Sequence, residues 1–358
     1  MYVRVRMRRV LTNALLVIGS IVIVLGALEV GIRLFSPQKY FAVTVNTWDR
    51  ELGTKQIPGA KGFVICPEYK IDLIINSKGL RDREFPYAKP QGTERILCLG
   101  ASFTCGYGVQ AEETYPKVLE RLLNSDEDGD EAWEVLNAGV GSTCTAHQLA
   151  FFQSEGYKYN PDFVLLCFSQ GTDFWNNIAS GLYSLENGRL IRQDAPRTNA
   201  RKIQRLVKWI PGYTTLFAKS HLLNFVKFRI SRFHYRDLAE RIQRPQAQSA
   251  LEETEKELTH HLLISLRDAC ASRGCRLVLT AIPRAGTWDW YDETKKLIEY
   301  AKANDIPFVD LTSVFRTAAA QGVQTVYPGD LHWTKEGHRL VANALYDFFV
   351  DKSPQRRR

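Results

Sequence analysis

Residues Ile96-Leu-Cys-Leu99 form an unbroken apolar run that stops on Gly100, and Ser102 follows two residues later. A run this short, without polar alternation, suits a strand buried on both faces of a parallel sheet. Further strand patterns at 133–138, 162–168, 276–282 and 306–310 alternate with helical patterns at 114–124, 145–157, 251–273, 289–303 and 335–350. Helices between buried strands imply a parallel sheet covered on both faces. The expected fold is α/β: a doubly wound, flavodoxin-like sheet of five parallel strands. A serine at the turn after the first of them lies at the carboxyl edge, where open α/β sheets hold their sites. Alone, Gly-x-Ser is a common turn and identifies nothing.

The far end of the chain supplies partners. Asp330-Leu-His332 precedes the last helical pattern. An Asp two residues before a His can hold one ring nitrogen and leave the other for a serine hydroxyl. A serine hydroxyl needs such a base, because it is a weak nucleophile at neutral pH. The expected roles are Ser102 as nucleophile, His332 as base and Asp330 as its orienter. His338 falls inside the final helix and is read as structural.

Ser first and Asp-x-His last resembles the SGNH/GDSL hydrolase family, in its membrane-anchored bacterial form. Asn137-Ala-Gly-Val-Gly-Ser-Thr-Cys-Thr145 and Pro161-Asp-Phe-Val-Leu-Leu-Cys-Phe-Ser-Gln-Gly-Thr-Asp173 look like its second and third blocks. The resemblance covers about residues 93–350. It implies a serine esterase that cleaves an O-acyl ester without a cofactor. It also implies an oxyanion hole made by the Ser102 amide, a glycine amide from the second block and an asparagine side chain from the third. Ser142 stands where that glycine is expected, with Gly141 just before it, and Thr172 stands where the asparagine is expected. Asn176 and Asn177 are near enough in sequence to substitute. Losing one such donor typically costs about 2.7–4 kcal/mol of transition-state stabilisation. Ala101 replaces the Asp of the usual Gly-Asp-Ser. Asp-x-His-Trp also resembles alginate O-acetyltransferases, although there the pair precedes the serine. An O-acyltransferase modifying an extracellular polysaccharide, and a non-catalytic glycan-assembly protein, therefore stay open as alternatives.

Val10 to Leu28 is nineteen residues without a charge, preceded by Arg4, Arg6, Arg8 and Arg9. That length spans a bilayer as a helix, and the arginines place the N-terminus in the cytoplasm. No Ala-x-Ala-like site follows, so an uncleaved anchor is expected. The catalytic part would then be extracytoplasmic, and periplasmic in a Gram-negative cell. The expected division is a cytoplasmic tail (1–9), an anchor (10–35), a β-rich lead-in (36–92), the hydrolase domain (93–350) and a basic tail (351–358). Tyr69-Lys-Ile-Asp-Leu-Ile-Ile75 alternates like a half-exposed strand, and Asn76-Ser-Lys-Gly-Leu-Arg-Asp82 reads as a turn. Residues 200–245 interrupt the alternation with eleven Lys/Arg, two acids and interleaved apolar residues. They read as a basic amphipathic surface insert, or as a foot on anionic headgroups.

The net charge of +8 sits at the ends, since residues 1–39 carry +5 and 351–358 carry +3. A neutral body argues against nucleic acid as a partner. Seven cysteines cannot all pair with one another. Cys98 and Cys167 belong to buried strands, and Cys270 and Cys275 are close enough to pair. No His/Cys spacing suits zinc, and Asn124–Asp130 lacks the closing Glu of a calcium loop. Gly106-Tyr-Gly lacks the acid that a dinucleotide site needs on the next strand. Thr104 breaks the α/β-hydrolase elbow.

Overall fold

The computed structural model describes residues 2–125, 132–196, 212, 219–226, 229, 245–283 and 291–352. Its first element is one long helix, α1 (Tyr2–Phe35). Met7–Phe35 is long and apolar enough to cross a membrane, and none of its most apolar window is buried by the rest of the chain. At its carboxyl end Glu29 accepts hydrogen bonds from the Ser220 hydroxyl (2.8 Å) and from the amides of His221 and Leu222 (2.9 Å each). Arg33 donates to the Lys219 carbonyl at 2.7 Å. Most of the basic insert lies outside the described residues, but 219–226 is held against the end of this helix.

Short strands follow. β1 (Phe41–Val43) pairs antiparallel with β4 (Lys61–Ile65), and β4 with β5 (Lys70–Ile74). β2 (Asn46–Asp49) and β3 (Gly53–Gln56) form a separate hairpin. Alternate residues of β5 face in and out, as its pattern predicts. Ile71 and Leu73 are buried with Val45, Val64, Tyr69 and Ile75, and Tyr107 and Tyr327 of the later chain pack on the same cluster.

The central sheet is built from β6 (Thr93–Gly100), β7 (Ala132–Asn137), β8 (Phe163–Phe168), β11 (Arg276–Ala281) and β12 (Phe308–Val309). Its order is β12-β11-β8-β6-β7, all parallel. The chain steps from β6 to β7 on one side and then to β8 on the other, so the switch point lies beside β6. Leu97 and Leu99 face one apolar layer, while Ile96 and Cys98 face the other. Two buried faces explain why the run has no polar alternation.

Among the described residues the helices are α2 (Ser102–Cys105), α3 (Tyr115–Leu123), α4 (Thr145–Ser154), α5 (Asp173–Ser180), α6 (Pro245–Ala271), α7 (Tyr291–Ala303), α8 (Thr312–Ala320) and α9 (Lys335–Lys352). Side chains of α4, α6 and α7 cover the Leu97/Leu99 face, and those of α3, α8 and α9 cover the other. Several pieces were not expected from sequence: α2, α5, α8 and the hairpin of β9 (Tyr183–Glu186) and β10 (Arg189–Arg192). Each is short, and a short element depends more on tertiary packing than on its own periodicity. The acidic turn at 126–131 and the tail from 353 lie outside the described residues.

Candidate active site

Ser102 opens α2 directly after β6, so the strand delivers it to the carboxyl edge. The turn is tight. A Cβ on Gly100 would lie 2.1 Å from Thr104 Oγ1, and one on Gly139 would lie 2.2 Å from the Cys105 amide. Only glycine lets the turn at Ser102 fold back onto the ends of β6 and β7.

The loop before α9 comes to meet it. His332 Nε2 lies 2.8 Å from Ser102 Oγ, and Nδ1 lies 2.7 Å from Asp330 Oδ2. A carboxylate only accepts, so Nδ1–H donates to Asp330 and Nε2 accepts from the serine hydroxyl. Between them Leu331 has φ +65°, a left-handed conformation that costs a branched residue of order 1–3 kcal/mol. That twist puts the Asp330 and His332 side chains on the same side of the loop while Leu331 points to solvent, 61% exposed. Trp333 is fully buried against Phe103, Tyr115 and Phe315, which anchors the loop to the sheet. Phe103 and Tyr107 contact the imidazole with ring centroids at 4.9 and 5.6 Å.

Asp330 is half-buried. Burial acts to raise its carboxyl pKa, but hydrogen bonds from His332 and from the Tyr69 phenol outweigh it and leave it below the ordinary value. The carboxylate thus stays charged across the neutral range. His338 is fully buried, and its Nδ1 accepts from the Tyr115 amide at 3.1 Å. Burial, helped by the positive charges of Arg81 and His332, lowers its pKa to about 3. It is a neutral packing residue, as expected.

The proposed oxyanion donors separate. Gly141 is buried, and its carbonyl accepts from the Asn46 side-chain amide at 3.1 Å. Ser142 is exposed with φ +64°, the conformation a glycine would supply, and among the described residues its amide has no partner. The Thr172 hydroxyl donates to Ser169 Oγ at 2.8 Å from an exposed position at the start of α5. Asn177 is unable to replace it. Its carbonyl takes the Ala146 amide (3.0 Å) and its amide donates to Thr259 Oγ1 (2.9 Å), in the interior.

Sequence reasoning missed the lead-in's part. Arg81, 1% exposed, donates to the carbonyls of Asp72, Cys105, Gly106 and Val109 at 2.7–2.9 Å. It therefore fastens the carboxyl end of α2, whose amino end carries Ser102. Its neighbour Asp82 accepts from the Asn137 amide (2.8 Å) and pairs with Lys117 (2.9 Å), which secures the end of β7. Glu68 accepts from the Gly329 amide (3.0 Å), and Tyr69 reaches Asp330. The signal was an Arg-Asp pair at the end of a turn, and nothing in its spacing marks it as buried.

A cavity of about 370 Å³ lies between the β2–β3 hairpin and α4, lined in part by Lys55, Gln56, Thr143, His147 and Gln148. Ser102, His332 and Asp330 do not line it, so it is separate from the hydrogen-bonded row. Among the described residues no group of His, Cys, Asp and Glu could hold a metal ion.

The GDSL-like lipase/acylhydrolase family matches residues 98–340 of the chain. No curated protein matches it. Among solved structures it is similar to a member of the lipolytic protein G-D-S-L family from Veillonella parvula DSM 2008, with 13% identity, TM-score 0.38, and coverage of 72% of this chain and 98% of that one. It is similar to an acetyl xylan esterase, AlAXEase, with 14% identity, TM-score 0.41, and coverage of 71% and 98%. It is similar also to the psychrotrophic esterase EstA from Pseudoalteromonas sp., with 14% identity, TM-score 0.39, and coverage of 72% and 97%.

Proposed function

The chain belongs to the GDSL-like lipase/acylhydrolase family and is an ester hydrolase, and from that premise we propose that Ser102 is its nucleophile, His332 its general base and Asp330 the orienter of His332. The observation that carries this is the row Ser102 Oγ, His332 Nε2, His332 Nδ1, Asp330 Oδ2, joined at 2.8 and 2.7 Å on the carboxyl edge of the sheet. Ser102 Oγ attacks the ester carbonyl carbon while Nε2 takes its proton. The carbonyl oxygen becomes an oxyanion, met by the amides of Ser102 and Ser142. The C–O bond to the alcohol breaks, and His332 returns the proton to the departing oxygen. Water then attacks the acyl-serine with His332 again as base, releasing the acid and the free serine.

The finer reading is a membrane-anchored, extracytoplasmic enzyme acting on an O-acyl ester of a cell-envelope glycan or lipid. The exposed apolar helix Met7–Phe35 and the arginines before it support the anchor and its orientation. Glu29 and Arg33 hold 219–226 at the outer end of that helix, which keeps this segment near the bilayer surface. The division into anchor, lead-in 36–92 and hydrolase domain 93–350 belongs to the same reading.

A serine-reactive phosphonate should label the full-length protein once, at Ser102, and the protein should hydrolyse small acyl esters. A reporter fused after Arg358 should be active only outside the cytoplasm. Labelling at another residue ends the nucleophile assignment, and a cytoplasmic reporter signal overturns the topology.

A further inference from the structure

The carboxylate of Asp330 is held from two sides. His332 Nδ1–H and the Tyr69 phenol both donate to the same oxygen, Oδ2. Tyr69 is not part of the sheet that carries Ser102. It stands just before β5 in the antiparallel lead-in, 261 residues before Asp330 in sequence. Its ring is locked by a contact with Tyr327 at 5.0 Å and by the lead-in's apolar cluster. The next residue back, Glu68, holds the Gly329 amide, so two consecutive lead-in side chains grip the loop that bears the base and its orienter.

We propose that Tyr69 is a positioning residue: its phenol extends the row Ser102–His332–Asp330 by one member and holds the carboxylate, and through it the imidazole, in line with the nucleophile. The inference rests on the esterase reading above. A carboxylate free to rotate would carry the imidazole with it, and His332 would present Nε2 to Ser102 for a smaller share of the time. Leu331 gives the loop a strained backbone at the same place, so a side-chain tether is needed to keep one conformation. Burial first, and the bond to Asp330 second, push the Tyr69 phenol pKa well up, so it remains a donor throughout the working range of the enzyme.

Several other groups face this row. Tyr40 senses the Asp330 charge, and Cys66 lies near both tyrosines. Glu68 is on the Gly329 amide, Tyr107 contacts the imidazole, and Lys335 pairs with Glu113 at 3.1 Å. Removing the phenol acts first on Oδ2, the oxygen that Tyr69 and His332 share.

The test compares wild type, Tyr69→Phe, Asp330→Asn and the double variant on p-nitrophenyl acetate, with melting temperature recorded for each. Tyr69→Phe should lower kcat by about 10–100-fold and leave KM unchanged, the usual cost of removing a partner that orients an active-site group. The acid limb of kcat/KM should move to higher pH, because the carboxylate then faces the imidazolium alone. In the Asp330→Asn background, Tyr69→Phe should cost nothing further, since the phenol acts through that carboxylate. Multiplying losses, or an unchanged kcat and pH profile, would overturn the proposal. If Tyr69→Phe does not fold, 3-fluorotyrosine at position 69 keeps the ring and strengthens the donor. It should move the acid limb to lower pH, and no movement would again reject the role. A wild type that neither hydrolyses the ester nor takes the phosphonate brings down the esterase reading instead, so the two failures are distinguishable.

Discussion

The parallel sheet and the antiparallel lead-in meet at the same loops and contribute different things there. The sheet edge carries Ser102, His332 and Asp330, whose atoms form the row where chemistry would occur. The lead-in carries Arg81, Asp82, Glu68 and Tyr69, which hold backbone carbonyls, amides and one carboxylate oxygen. Groups that would react must be partly open to substrate, and the candidates Ser102 and His332 are only half-buried. Groups that hold work best where water does not compete, and Arg81 and Asp82 are buried. The site is therefore split between reacting parts on one unit and fastening parts on another.

The largest effect tests the reacting side. Ser102→Ala and His332→Ala should each lower kcat by about 1,000-fold or more, and the double variant should be little worse, because the two act as one unit. Steady-state hydrolysis of a small ester measures this. Appreciable turnover by a folded Ser102→Ala protein would remove the sheet edge from the chemistry.

Next comes the fastening side. Arg81→Met keeps the length of the stem and deletes four charge-assisted donations to carbonyls in the interior. Unpaired buried acceptors cost about 1–3 kcal/mol each before relaxation, so unfolding by urea should show a loss of about 3 kcal/mol or more. Activity per folded molecule should fall too, since α2 loses its tether. Equal stability would mean that the lead-in packs on the site without supporting it.

Buried titratable groups give a third contrast. Asp173, after β8, is fully buried, and burial pushes its carboxyl up to about 8 despite a hydrogen bond from the Ser169 amide. The folded chain keeps a proton that the unfolded chain releases above its ordinary value of 3.8. That stability is complete below 3.8 and lost as pH climbs towards 8. His338 runs the other way. Its folded pKa of about 3 lies below the ordinary 6.5, so its contribution is complete above 6.5 and lost as pH falls towards 3. Between 3.8 and 6.5 the two slopes oppose each other, and from 6.5 to 8 only Asp173 remains. Its slope there is about 1.4 kcal/mol per pH unit. Asp173→Asn should abolish the alkaline decline and leave stability falling with acid below 6.5. Urea midpoints at three pH values across this range decide it, and an unaltered profile refutes the assignment to Asp173.

The smallest effect concerns Thr172. Its hydroxyl is spent on Ser169, so Thr172→Asn should preserve activity or raise it a few-fold by adding an amide donor at the carboxyl edge. A large loss in kcat would give the threonine a role of its own.

The apolar runs at β6, β8 and β11 were legible because a strand buried on both faces calls for continuous apolar sequence. Ser102, Asp330 and His332 were legible because their side chains advertise chemistry and their order along the chain matched a known pattern. Ser142 was harder to read. Its left-handed backbone is a glycine's conformation worn by another residue, which only coordinates reveal. Asn177 looked available by spacing and proved to tie α4 and α5 to α6 in the interior.

The local pattern of apolar and polar residues determined the sheet, most of its covering helices and the membrane-length helix, because these depend on neighbours a few positions away. Tertiary structure alone decided what the lead-in does. Tyr69 and Asp330 are distant in sequence, as are Arg81 and the α2 carbonyls, and no periodicity relates them. Whether an arginine is a solvated surface charge or the pin of a catalytic loop depends on what the fold brings over it.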